Sequence, residues 1–97
     1  MSYVVIATWV AKLGEEEYVA VALAELTPGN RAEPKMLSLQ AHRALDAPAR
    51  FVLVETYTDA DGYEEHRATQ AFQARVVGDI IPRLADRDVH AYTVIET

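Results

Sequence analysis

Apolar positions run almost unbroken through Tyr3-Val4-Val5-Ile6-Ala7-Thr8-Trp9-Val10, a β-branched and aromatic segment that predicts a first strand. Val4, Ile6 and Val10 fall on one side of it and Tyr3, Val5 and Trp9 on the other, so both faces are expected to be covered. The period then changes. After Gly14, the acids Glu15, Glu16 and Glu17 complement a helix N-terminus. Tyr18, Val19, Ala22, Leu23 and Leu26 follow at helical spacing and predict one buried stripe. Thr27-Pro28-Gly29 predicts a break in this helix, because Pro28 lacks the N–H of an i−4 hydrogen bond and Gly29 weakens any continuation. With Thr27 as a cap and Pro28 in the first position, a short kinked helix resumes from Asn30 to Glu33 and ends at Pro34. Leu37, Leu39 and Ala41 alternate with Ser38, Gln40 and His42, which predicts a second strand from Leu37 to Arg43. Asp46-Ala47-Pro48-Ala49 reads as a hairpin loop, and Arg50 to Thr58 as the third strand.

Asp59 is placed to cap a short helix through Arg67. Thr69 caps a longer one whose stripe is Phe72, Val76, Val77, Ile80 and Leu84, with Pro82 fraying or ending its last turn. Val89 to Glu96 closes the chain as a fourth strand. The order β-α-β-β-α-β predicts an α+β, ferredoxin-like fold with a four-stranded antiparallel sheet. With no repeat, linker or low-complexity stretch, residues 1–97 read as a single domain. Both helices of this topology cover one face of the sheet. Val4, Ile6, Val10, Val52 and Val54 alternate with equally apolar neighbours, so the other face is apolar whichever parity it takes. Such a patch exceeds the roughly 300–600 Å² usual for a monomer. Two sheets packed face to face, a homodimeric α+β barrel, are the expected solution.

Composition sharpens this picture. An apolar content of 51% in 97 residues is rich for one small core and agrees with a second buried face. Fifteen acidic against 9 basic residues give a net charge of −6, which argues against nucleic acid as a partner. The absence of cysteine excludes disulfides, thiolate nucleophiles, iron–sulfur clusters and zinc–thiolate sites. The run from Tyr3 to Val10 is too short to span a bilayer and has no basic segment before it, so a cytoplasmic protein with no membrane partner is expected. The three histidines fall on three different elements without His-x-x-x-His spacing, which argues against a metal. Four scattered glycines form no phosphate loop, and nothing points to flavin or nicotinamide. A site without a cofactor is the expectation.

Candidate chemistry concentrates between Phe51 and Phe72, in FVLVETYTDADGYEEHRATQAF. A strand bearing Glu55 and Tyr57 on one face runs into a short helix that carries His66. If that face meets the helices, a carboxylate, a phenol and an imidazole line one pocket, with Leu53 beside them and Trp9 and Phe72 as apolar walls. Such a pocket suits a flat hydroxylated aromatic compound, stacked by the rings and deprotonated at its polar end. His66 is the natural proton acceptor, its ordinary pKa lying nearest neutrality. Each residue also has a plainer reading. His66 reads equally as a helix-end cap for carbonyls, Tyr57 and Trp9 singly as core, Glu55 as a hydrogen-bonded sheet residue, His42 as solvated and His90 as edge decoration. The combination of Glu55, Tyr57 and His66 is what favours a site, with His42 a further candidate on the substrate-binding side.

The Phe51–Phe72 stretch resembles the antibiotic biosynthesis monooxygenase family. So do Trp9 on the first strand, Gly14 before an acidic helix, Arg31-Ala32-Glu33-Pro34 before a strand, and His42-Arg43 through Asp46 and Pro48 to Phe51. The resemblance covers nearly the whole chain and implies a dimeric ferredoxin-like fold. It also implies a cofactor-independent monooxygenase acting with dioxygen on a small phenolic, quinol or polyketide-like aromatic, with His66, Tyr57 and Glu55 as catalytic residues. An isomerase, or a non-catalytic dimer that binds a small ligand, are the alternatives on the same fold. Several positions depart from the family pattern. Val76 falls near the axial histidine of the haem-degrading branch and Ala7 at its asparagine, which disfavours haem degradation. Tyr57 stands where a tryptophan is usual, and Lys35 replaces a glycine after Pro34.

Overall fold

The computed structural model describes residues 2–95. Among them the elements run β1 (Tyr3–Ala11), α1 (Glu16–Arg31), β2 (Met36–Arg43), β3 (Arg50–Tyr57), α2 (Ala60–Ala68), a π-helix (Phe72–Ile80), a 3₁₀ turn (Ile81–Arg83) and β4 (Leu84–Thr93). The strands form one antiparallel sheet in the order β2-β3-β1-β4. This is the ferredoxin-like β-α-β-β-α-β arrangement that the sequence pattern predicts. Among the described residues, no helix is long and apolar enough to cross a membrane.

The core lies between the sheet and the helices. Ala7, Trp9 and Ala11 of β1 and Phe51 and Leu53 of β3 face Val19, Ala22 and Leu23 of α1 and Phe72, Val76 and Ile80 of the π-helix, all of them buried, and Val5 packs with Met36, Leu39 and Tyr57 in a second cluster. Full burial of a large side chain of this kind contributes about 1.5–3 kcal/mol. Gly14 has a φ of +89°, a left-handed conformation in which a side chain would be strained, and it turns the chain from β1 into α1. Arg83 ties the two helical segments together at one end. It lies 2.8 Å from Glu15 and 3.2 Å from Asp79, with its guanidinium 3.7 Å above the Tyr18 ring.

The structure corrects the predicted elements at five places. The helix does not break at Thr27-Pro28-Gly29: α1 continues through Pro28 to Arg31. Pro28 sits in the last turn, where only one bond is lost, and the Thr27 hydroxyl donates to the Leu23 carbonyl at 2.8 Å beside the gap. Tyr18 lies off the buried stripe, 43% exposed, and its hydroxyl donates to Asp79 instead. A bulge between Met36 and Ser38 leaves Leu37 as the extra residue, 59% exposed, so Met36 rather than Leu37 continues the buried row. The second long helix is a π-helix, which turns Val77 outward, 42% exposed. It also ends earlier than predicted, so Leu84 opens β4 five residues before the predicted Val89. Glu96, the predicted end of that strand, lies outside the described residues.

Candidate active site

Strand parity builds the floor of the site. Phe51, Leu53, Glu55 and Tyr57 are buried on the helix-facing side of β3, and Val52, Val54 and Thr56 alternate with them. The antiparallel register sets Val5 of β1 opposite Glu55, and Trp9 opposite Phe51. α2 then carries His66 over this floor. Its start is fixed by Asp59, whose carboxylate accepts from the Gly62 N–H at 3.1 Å. A Cβ on Gly62 would stand 2.9 Å from the Lys35 Cβ and 3.1 Å from the Tyr57 Cβ, so only glycine lets α2 approach β3 this closely. His66 follows four residues later on the same helix face. At the far end, the Thr69 hydroxyl (2.8 Å) and N–H (3.2 Å) both donate to the His66 carbonyl. The backbone is thus capped without the imidazole, which finds other partners.

The hydrogen-bond partner is the Glu33 carboxylate, and Glu55 stands on the other side of the ring. His66 Nδ1 lies 2.9 Å and 3.0 Å from the two oxygens of Glu33. A carboxylate can only accept, so Nδ1 is the protonated nitrogen, and in the neutral ring Nε2 carries the lone pair. Nε2 stands 4.0 Å from Glu55 Oε1, beyond hydrogen-bond reach. The Tyr57 hydroxyl donates to that same Glu55 oxygen at 2.5 Å. Burial pushes the Glu55 carboxyl above its usual range, against the opposing pull of the Tyr57 hydrogen bond and of His66. Tyr57 is pushed well above the usual phenol range, by burial first and the Glu55 charge next. It is a neutral donor and not a base.

Trp9, Leu53, Glu55, His66 and Phe72 share the wall of one enclosed cavity of about 30 Å³. Leu23, Leu26 and Asn30 of α1, Leu39 of β2 and Val76 of the π-helix complete it. The His66 ring meets Phe72 edge-on, centroids 5.1 Å apart. Trp9 is 4% exposed, and its indole N–H is the one buried side-chain polar group without a hydrogen-bond partner among the described residues.

Sequence reasoning gathers Glu55, Tyr57, His66, Trp9, Leu53 and Phe72 into one pocket. Five of them line the cavity. Tyr57 lies behind Glu55, packed with Val5, Met36 and Leu39. His42 is not brought to the cavity. It pairs with Val52 on the opposite parity, is exposed, and its Nδ1 lies 3.0 Å from the Val52 carbonyl. It borders a separate open groove of about 400 Å³ between α1 and β2. Glu33 is the polar neighbour that periodicity does not single out, because it sits in the aperiodic turn between α1 and β2. Its available signal is an acid immediately before Pro34, in a stretch that carries the family resemblance.

The fold recurs in solved structures. A protein of Shewanella oneidensis, 28% identical, superposes with a TM-score of 0.87 over 94% of this chain and 88% of its own. A structure described as an antibiotic biosynthesis monooxygenase, 26% identical, gives 0.89 over 97% of this chain and 99% of its own. A Pseudomonas aeruginosa protein, 23% identical, gives 0.91 over 98% and 95% and speaks to the fold alone. No curated protein matches the chain. The family model for antibiotic biosynthesis monooxygenases matches residues 2–76, from β1 to the cavity-lining Val76, and on that match the chain belongs to this family.

Proposed function

We propose that this protein is a cofactor-independent monooxygenase that oxidises a small phenolic, quinol or polyketide-like aromatic with dioxygen, and that it works as a homodimer. The observation that carries the reading is the chain Glu33–His66–Glu55–Tyr57 at the polar end of an apolar cavity. Glu33 holds the Nδ1 proton, which leaves Nε2 to take a proton from the substrate. The imidazolium so formed lies between the Glu33 and Glu55 side chains. Tyr57, kept neutral, holds Glu55 in place.

The chemistry then balances as follows for a ring CH₂ activated by a phenol. Nε2 removes one proton, and the substrate anion passes one electron to dioxygen. The resulting radical and superoxide combine with formation of a C–O bond, and the peroxide takes the proton back from His66. Nε2 removes the remaining C–H proton, the O–O bond breaks, and hydroxide leaves as water with that proton. One oxygen atom ends as a carbonyl and the other in water.

The cavity of about 30 Å³ has room for roughly one water molecule, so a ring system enters only if its walls part. The π-helix is suited to such a place, since this geometry recurs at functional sites.

Oxygen uptake by metal-stripped protein, with reduced naphthoquinols and anthrones, tests the reading. Uptake above spontaneous autoxidation is expected, falling about 10²–10⁴-fold in His66→Ala. Uptake unchanged in His66→Ala, or none above autoxidation, would overturn it. Anaerobic turnover would then indicate an isomerase, and saturable binding without turnover a ligand-binding dimer.

A further inference from the structure

The buried Trp9 N–H restricts what the cavity can take. An indole N–H only donates, so its complement is an oxygen acceptor. At the other end, Glu55 Oε1 and His66 Nε2 present acceptors to an incoming O–H. Between these ends the walls are leucine, valine and phenylalanine, and the Asn30 amide is the one further polar group in the lining. The two ends are also kept apart. Trp9 stands opposite Phe51, and Glu55 stands opposite Val5. They are therefore staggered by four residues along the sheet, about 13 Å of strand before the side chains reach inward. Two adjacent oxygens on one ring edge do not span that stagger.

We propose that the Trp9 indole N–H is the specificity-determining donor of this cavity, selecting ligands with a carbonyl oxygen across a ring system from their hydroxyl. This rests on the oxygenase reading only for the direction of chemistry. The selection itself is a binding property. Simple phenols satisfy the Glu55–His66 end and leave Trp9 unpaired, and a buried unpaired donor is costly. Hydroxyaryl ketones satisfy both ends.

Two compounds isolate the effect: 6-hydroxy-1-tetralone and 5,6,7,8-tetrahydro-2-naphthol, which differ in one carbonyl oxygen. Both are inert under nitrogen, so binding is read apart from turnover. Trp9 is the only tryptophan in the chain, which makes its indole N–H a single, self-assigned proton–nitrogen resonance. The ketone is expected to move that resonance downfield and slow its exchange with solvent. It is also expected to bind about tenfold more tightly than the tetrahydronaphthol. In Trp9→Phe, which keeps a ring and removes the N–H, the preference should fall to within about twofold. An indole resonance that responds equally to both compounds, or to neither, would overturn the proposal even if Trp9→Phe failed to fold. Selection by Trp9 without any oxygen uptake would keep the donor role and reject the oxygenase reading. Uptake without selection would do the reverse.

Discussion

Glu55 brings an ionisable group into a wall where it is 6% exposed, and its pKa is raised chiefly by burial. The folded state therefore binds its proton more tightly than the unfolded chain does. The Glu55 contribution to stability is greatest below the ordinary value of 4.5 and falls as pH rises from there through the raised folded value. Glu55→Gln keeps an oxygen to accept from Tyr57 and removes the titration. Its melting temperature is expected to lack the decline that the unmodified protein shows across that window. Parallel melting curves for the two proteins, from acid to neutral pH, would count against the burial argument. The same residue scale shows what the sequence could supply. Period-2 alternation places Trp9, Leu53 and Glu55 on one face, and it already groups His42 with Ser38 and Gln40 on the other. Glu33 belongs to no period, since a turn residue is positioned by the elements on either side of it. The hydrogen bond that places it can be read only after α1 and α2 are packed.

Elements failed where a local rule met a tertiary contact. Pro28 and Gly29 carry a strong breaking signal, yet α1 runs on because its buried face continues through Leu23 and Leu26 and only the last turn contains the proline. Leu84 fits a helical stripe by spacing, but the 3₁₀ turn at Ile81–Arg83 ends the helical segment and passes it to the sheet. The strands β1 and β3 and the helix α2, by contrast, were legible because their caps and periods agree with their packing. Gly62 makes that agreement testable. A methyl group there meets the Lys35 and Tyr57 Cβ atoms, one in the turn before β2 and the other on β3, so α2 must move outward. Gly62→Ala is expected to destabilise the fold by about 1–3 kcal/mol through overpacking. Because α2 also carries His66, the ring should shift from Glu33, and activity should fall more than stability alone explains. Chemical denaturation and oxygen uptake on the same preparation separate the two losses. A fully stable, fully active Gly62→Ala would show that this close approach does not position His66.

At the scale of the whole molecule, the sheet presents a second face that no helix covers. Val4, Ile6 and Val10 of β1 and Val52 and Val54 of β3 line its centre, all at intermediate exposure. Ser38 and Gln40 on one edge strand, and Asp86, Asp88 and His90 on the other, form polar borders to the same face. An apolar centre with a polar rim is the anatomy of a protein interface, and this is the face that the proposed dimer buries. The proposed dimer also bears on the site, because β1 and β3 hold Trp9 and Glu55 on their other sides. Packing one face restrains the strands that shape the cavity on the opposite face. Ile6→Lys puts a charge at the centre of the apolar stripe, between Val54 and His90. It is expected to sediment as a monomer at micromolar concentration while the unmodified protein sediments at twice that mass, and to lose most of its oxygen uptake. Gln40→Lys on the exposed rim should leave the mass unchanged. If a folded Ile6→Lys sedimented like the unmodified protein, the stripe would not be the interface, and the apolar excess of the sheet would need another cover.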